Sequence, residues 1–433
     1  VINSHQQEAT NLKVYSLPNG LRIVAESIPT FRSVSFGIWV KVGSRNEITE
    51  NNGISHLIEH MMFKGTERYS AAQIADIFDG IGGNVNAFTS KEYTCYYAKV
   101  LDEHLPLAMD VLSDMFFRSK IDPIELEKEK NVVIEEIGMY EDTPDDLVHD
   151  LVARASYGKH PLGYSILGKE EILRSFSSDD LKQYLNDHYD ASNTVISVSG
   201  HFDFEQLEHL INQHFGSFNR TGSERKQDEP NFIGDVVIHA KKTEQNHICL
   251  TLPGLSLKDK QLYSMILLNN AFGGGMSSRM FQEIREKRGL AYSVYSYHAA
   301  HIDSGLFTVY IGTAPKQTEE VLNVTVDLMD NLAAKGLTEA ELRKGKEQLK
   351  GSLILSLEST SSRMNRLGKN ELMLGRHHTL DEIITRIEQV TMEDVKTTID
   401  RVFANPIALA VVGQDESAIH QLRRNRYVTS HSN

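Results

Sequence analysis

The chain has 433 residues, 40% apolar and 24% charged, which is ordinary for a folded protein and enough for two or three domains. Its 45 basic and 59 acidic residues leave a formal charge of −14, which argues against nucleic-acid binding. No apolar run reaches the roughly 18–20 residues that cross a bilayer, so no membrane partner is expected.

The opening stretch VINSHQQEATNLK is polar, with neither a secretory apolar core nor an Arg-rich transit pattern. Leu12 to Ser27 reads as strand material folded at Pro18-Asn19-Gly20, and Val34 to Val42 as a further strand. Gly53 to Phe63 then follows a helical period, with Ile54, Leu57, Ile58, Met61 and Met62 apolar. Within it, HLIEH sets His56 and His60 one turn apart on one face, about 5–6 Å between Cβ atoms, with Glu59 beside them. Imidazole and carboxylate suit zinc, whose catalytic sites take three protein ligands and keep one position open. Two solvated surface histidines are the plain alternative. With 18 His in the chain, roughly 0.06 such pentapeptides are expected by chance, which favours metal.

Further along, Gly83 to Thr89 reads as a strand entered through glycines, and Tyr93 to Val100 as its neighbour. An exposed edge there could pair with an extended peptide, and an ordinary strand is the plain alternative. A long helical pattern covers about 123 to 155. Asp122 supplies its N-cap, Pro123 its first turn, and Glu125 is placed to complete a capping box. Glu129 and Glu136, seven apart, share a face beside apolar Val132, Val133, Ile134 and Ile137. A solvated charge run is the alternative, and it suits Glu125, Glu127 and Lys128. Asp146 and Asp150, one turn apart, could clamp a guanidinium, or Asp145-Asp146 beside Pro144 could cap a helix.

The pattern then repeats. Ser177-Ser-Asp-Asp180, a short helix, Asn193 and a β-branched strand ending at Gly200 recur as Thr391-Met-Glu-Asp394, helix, Asn405 and a strand ending at Gly413. The offset stays between 212 and 214 residues, which marks a duplication. FNRTGSERKQDEPNF at 218–232 reads as a linker between a domain at 1–217 and one at 233–433. Asp235 to Pro253, Leu290 to Tyr297 and Gly305 to Thr313 read as second-half strands, and 338 to 371 as its longest helix. The fold class is α+β, each domain a mainly antiparallel sheet with helices on one face. FGGGMSSR at 272–279 lacks the Lys-Ser/Thr ending of a phosphate loop. Cys95 and Cys249 lie far apart and imply no disulfide framework. The expected location is the bacterial cytoplasm, with the mitochondrial matrix left open.

His-x-x-Glu-His, followed 76 positions after its second His by Glu136 in NVVIEEI, resembles the pitrilysin/insulinase group of zinc peptidases, the inverzincins. Through HLIEHMMFKGT the chain is most similar to bacterial homologues of the mitochondrial processing peptidase β subunit. The resemblance implies that His56, His60 and Glu136 hold one Zn2+, that Glu59 is the general base, and that Glu129 supports a ligand. It makes Asn86, Ala87 and Phe88 the substrate edge, and Phe63 part of the pocket just after the scissile bond. It makes Asp146 and Asp150 readers of an arginine two positions before cleavage. Arg285 and Tyr292 in IREKRGLAY match a pair that binds the substrate carbonyl and stabilises the oxyanion. A solvated Arg and a strand-edge Tyr are the plain alternative. About 213 residues beyond His56 the second half reads LNNAF, so one active site per chain is implied.

The expected activity is therefore a zinc metalloendopeptidase acting on short or unfolded peptides. One chain would form half of a clamshell chamber, which a homodimer closes. Two other classes remain: a non-catalytic assembly subunit of the same fold, and a closed zinc site, for which no fourth ligand is found.

Overall fold

The computed structural model describes residues 11–220 and 228–414. Strands β1 (Leu12–Ser16) and β2 (Arg22–Ser27) form the first hairpin, turned at Gly20 with φ of 91°, and β3 (Ser33–Val40) follows. Helices α1 (Ile54–Met61) and α2 (Ala71–Gly80) lead to the antiparallel pair β4 (Asn84–Thr89) and β5 (Thr94–Leu101). Next come α3 (Leu105–Arg118), α4 (Pro123–Glu141), α5 (Pro144–Tyr157), α6 (Glu170–Ser175) and α7 (Ser178–His188). Strand β6 (Thr194–Gly200) and α8 (Phe204–Phe215) end the first half.

The second half opens with β7 (Val236–Ala240), β8 (Asn246–Pro253) and α9 (Leu262–Gly273). A π-helical turn at Phe281–Glu286 precedes β9 (Ala291–Ala300) and β10 (Gly305–Thr313). Five helices follow: α10 (Thr318–Lys335), α11 (Glu339–Ser356), α12 (Thr360–Leu374), α13 (Leu380–Gln389) and α14 (Met392–Phe403). Strand β11 (Ala408–Gly413) is the last described element.

The strands make two sheets, in the orders β1-β2-β6-β3-β5-β4 and β7-β11-β8-β10-β9. With β1 set aside, the two orders match strand for strand. Each has one parallel pair, β2 with β6 and β7 with β11, and is otherwise antiparallel. The recurring cap signals also fold alike. Ser177 and Asp180 close a reciprocal box on α7, and Thr391 and Asp394 do so on α14. Asp122 caps α4 through the Ile124 and Glu125 amides, but the Glu125 carboxylate accepts from Lys128 instead of closing the expected box.

Alternation along β3 assigns its two faces. Phe36, Ile38 and Val40 enter the main core with Leu57, Ile58, Met109 and Leu112 of α1 and α3. Ser35, Gly37 and Trp39 point the other way, and that face is not bare. Helix α12 lies across it, bonding Ser35 through Thr360 and bringing Gly368 against the Trp39 indole. A Cβ at position 368 would sit 2.2 Å from Trp39 Nε1, so this approach requires glycine. The second sheet repeats the scheme. Ile248, Leu250 and Leu252 of β8 face its main core, while Cys249 meets Val148 and Val152 of α5.

Each half of the sequence therefore contributes one helix to the other's sheet. One compact unit comprises the described residues within 1–137, 165–227 and 354–377; the other comprises those within 138–164, 228–353 and 378–433. The halves read from the duplication, 1–217 and 233–433, do not coincide with these units. The two long predicted helices are also each broken, at Asp142-Thr143 and at Leu357 to Ser359. The first break has a steric cause, because the residue before Pro144 is disfavoured in the α region. The second restarts where Ser359 caps α12 through the Ser362 amide.

Of the predicted linker, 221–227 lies outside the described residues. Phe218 is buried in the first core, and Phe232 packs beside Tyr157, Leu162 and Leu306. Cys95 and Cys249 are free and buried. Among the described residues no helix is long and apolar enough to cross a membrane.

Candidate metal centre

Helix α1 buries its apolar positions in the first core, and this fixes the face that carries the histidines. His56 is 8% exposed, and its ring meets that of His60 edge-on at 4.5 Å between centroids. Helix α4 supplies the third group. Glu136 Oε2 lies 3.8 Å from His56 Nε2 and 3.5 Å from His60 Nε2. One ligand atom from each of the three falls within 4.8 Å of the other two. Two turns earlier on α4, Glu129 is buried, its Oε1 2.9 Å from His60 Nδ1 and its Oε2 2.7 Å from Lys64 Nζ. The carboxylate thereby holds one nitrogen of His60 and turns the other toward Glu136.

The charges follow from this arrangement. Burial lowers the His56 pKa to about 4, with the neighbouring His60 adding to the effect, so this imidazole is neutral at pH 7. Burial also works against a charged His60, but its bonds to Glu129 and Glu136 outweigh that and raise it to about 9. Glu136 is held below the usual carboxylate range chiefly by its bond to His60. Glu129 would be raised by burial, but His60 and Lys64 pull it below the usual range.

Glu59 stands outside the three-ligand set. Its Oε2 accepts a 2.5 Å bond from Thr89 Oγ1 at the end of β4. Burial pushes the Glu59 carboxyl up, and the Thr89 hydroxyl opposes the shift. The donor set fits zinc on two counts. Its chemistry is two imidazole nitrogens and a carboxylate oxygen. The gaps from Glu136 to the two imidazoles, 3.5 and 3.8 Å, are close to the ~3.3 Å between ligands of a tetrahedral ion with bonds of about 2.0–2.1 Å, and all three atoms lie within 4.8 Å of one another. Three protein ligands would leave one position of the ion for water, and Glu59 lies near enough to feel the charges of His60 and Glu136.

The edge-strand candidates occupy β4, the outer strand of its sheet. Asn86 is exposed, and its Oδ1 accepts from the Ala87 amide. The Phe88 ring is engaged with Trp39, Tyr93 and Tyr97 at 5.7–6.2 Å, so only its backbone is offered along the edge. Phe63 lines a cavity of about 320 Å³ with Ile74, Phe78, Asn84 and Val85.

The remaining candidates belong to the other unit. Asp146 and Asp150 lie one turn apart on α5. Their charges add to burial in pushing the Tyr140 hydroxyl above its ordinary range. Arg285 sits in the π-helical turn, its guanidinium 4.4 Å from the ring of Tyr292, which is 75% exposed. LNNAF falls in α9, where Leu268 and Phe272 are fully buried. Apolar packing fills the positions that correspond to His56 and His60.

Three residues around the site had no role in the sequence reading. Lys64 carried a spacing signal, four positions after His60. Thr89 and Glu47, which touch α1 side chain and backbone respectively, carried none. Their contacts depend on which distant segments meet.

Fold and donor set together define the class of duplicated α+β proteins that carry an inverted His-x-x-Glu-His zinc motif. A family model described as Insulinase (Peptidase family M16) matches residues 22–170, and one described as Peptidase M16 inactive domain matches 175–349. The chain belongs to peptidase family M16. An uncharacterized zinc protease of Bacillus subtilis is 52% identical over 401 residues, covering 93% of this chain and 98% of that protein. One from Streptomyces coelicolor is 42% identical over 409 residues, covering 92% and 88%. A protease from Helicobacter pylori has a similar fold, with a TM-score of 0.86 at 23% identity over 93% of this chain and 99% of its own. A Pseudomonas fluorescens chain described as a peptidase M16 inactive domain gives 0.87 at 20% identity, over 94% and 98%.

Proposed function

We propose that this chain is a zinc metalloendopeptidase that hydrolyses short or unfolded peptides. The observation that supports this most is the convergence of His56, His60 and Glu136 with a separate carboxylate, Glu59, held beside them. When bound, zinc supplies Lewis acidity toward the scissile carbonyl and the attacking water. His56, His60 and Glu136 hold the ion, and Glu129 with Lys64 keeps His60 in its ligating orientation. Glu59 takes the proton of the attacking water and passes it to the leaving amine.

The free edge of β4 is the peptide platform in this reading, with Asn86, Ala87 and the Phe88 backbone as partners of an extended substrate. The cavity beside Phe63 takes an apolar side chain after the scissile bond. Arg285 and Tyr292 act on the carbonyl, and Asp146 with Asp150 favours arginine before the cleavage site. A chamber closed by a second copy of the chain would filter substrates by unfolding rather than by sequence.

The test is hydrolysis of a quenched peptide library by wild type, chelator-treated protein and Glu59→Gln. The chelated protein should be inactive and recover with zinc. Glu59→Gln should keep one zinc per chain and lose about a hundredfold or more in rate. Undiminished turnover in that variant would refute the assignment of the base.

A further inference from the structure

We infer that Glu47 is the positioning residue for His56: its buried carboxylate caps the metal-binding helix from outside and fixes an imidazole whose Nδ1 has no hydrogen-bond partner among the described residues. The inference rests on the zinc reading above.

A helix leaves its first amide groups without intrahelical acceptors, and Ser, Thr, Asp or Asn at the N-cap normally supplies one. Helix α1 cannot use that solution. Its N-cap, Gly53, has φ of 98°, and a Cβ there would lie 2.8 Å from Leu167 O and 2.9 Å from Gly168 Cα. Only glycine fits, and glycine has no side chain to cap with. Glu47, six positions earlier and 1% exposed, does the capping instead. Its Oε1 accepts from the Ser55 amide at 3.0 Å, and its Oε2 accepts from the Gly53 amide and from Asn52 Nδ2, both at 2.9 Å. Burial raises the Glu47 carboxyl, and the Gly53, Asn52 and Ser55 donors oppose that shift; in its charged form it is favoured at this end of the helix by the dipole. Asn52 passes the link on to the Ser165 carbonyl, and Ser55 Oγ lies 3.2 Å from the Tyr184 hydroxyl. The first turn is thus fixed on three sides.

The two histidines depend on that turn unequally. His60 is gripped at Nδ1 by Glu129. His56 Nδ1 is buried and has no hydrogen-bond partner among the described residues. The direction of His56 is therefore set by the backbone it leaves, immediately after Ser55. Loss of the Glu47 cap frays that turn and moves His56, while His60 stays held. The same loop reaches the β4–β5 hairpin. The Arg45 amide donates to the Lys91 carbonyl at 2.7 Å, and its guanidinium meets the buried Glu92 at 2.8 Å. Residues 45–47 thereby tie the metal helix to the strand that ends in Thr89.

The experiment compares wild type with Glu47→Gln, which keeps the shape but presents an amide NH2 where an acceptor is needed. Zinc affinity is measured by chelator competition, Tm with and without zinc, and the visible spectrum with cobalt in place of zinc. Zinc affinity should fall tenfold or more, the zinc-induced rise in Tm should shrink, and the cobalt spectrum should change. A variant whose zinc-free Tm drops while zinc affinity and cobalt spectrum stay as in wild type shows a merely structural cap and overturns the inference. If Glu47→Gln does not fold, Glu47→Asp, shorter by one methylene, is read by the same criteria. Wild type that binds zinc but cleaves nothing defeats the peptidase reading and leaves this test standing. Wild type that binds no zinc defeats both.

Discussion

Thr89 closes β4 with its hydroxyl 2.5 Å from Glu59 Oε2, so the strand proposed as the peptide platform also holds the carboxylate proposed as the base. Replacing Thr89 by Val keeps the volume and removes the donor. The expected result is a fall of about tenfold in kcat/KM, the worth of roughly one hydrogen bond to a charged group, with unchanged zinc content. Thr89→Ser should recover most of the loss. Wild-type kinetics in Thr89→Val would mean that the hydroxyl does not position the base. His56, Glu59 and His60 were legible because helical spacing alone puts them on one face. Glu129 and Glu136 were legible as a pair, seven apart beside apolar residues. Which of them would be buried was not, since that depends on how α4 approaches α1. Glu129 proves the buried one, and the Glu136 side chain is 43% exposed. Thr89 and Glu47 stayed silent for the same reason: each acts across a tertiary contact that no local period encodes.

At the level of elements, the strands were readable from alternation and turn residues, whereas the helix breaks were not. The Gly-rich stretch shows what the element context adds. At its end, Arg279 forks onto Glu341, with Nε to Oε1 at 2.7 Å and Nη2 to Oε2 at 2.8 Å. Glu341 also accepts from the Thr338 amide and hydroxyl, closing the first turn of α11. The segment that leads into the Arg285 turn is therefore clamped to a helix start. Burial would raise the Glu341 carboxyl, but Arg279 and Thr338 hold it down at about 2, against an ordinary 4.5. A carboxylate lowered in the folded state stabilises the fold above its unfolded pKa, and that stability is lost as pH falls from about 4.5 toward 2. Wild type should therefore lose about 1–2 kcal/mol more than Arg279→Gln between pH 5 and pH 2.5, after allowance for partial exposure. Urea unfolding at the two pH values measures this. Equal losses in both proteins would show that Arg279 does not set the Glu341 pKa.

At the scale of the chain, the duplication and the fold class were readable because two copies of one pattern reinforce each other. The exchange of helices was not, because α5 and α12 look like continuations of the helices before them. Their destinations appear only in packing: α12 covers the Ser35, Gly37 and Trp39 face of the first sheet, and α5 covers the Cys249 face of the second. This gives a prediction about fragments. A piece spanning 1–220 keeps the first sheet and all the candidate zinc ligands, yet lacks α12 and carries α5 without its sheet. Uncovering Trp39 alone costs on the order of 3 kcal/mol, a large share of the ~5–15 kcal/mol that typically holds a protein folded. Expressed alone, this fragment and its complement 228–433 should each bind a hydrophobic dye and melt without a cooperative transition. Mixed, they should form a one-to-one complex that melts cooperatively and takes up zinc. A separate 1–220 fragment that melts cooperatively and binds zinc as the whole chain does would show that the exchanged helices decorate two independent folds. If only the mixture does so, each half of the duplication completes the other, and the metal centre in one depends on a helix encoded by its copy.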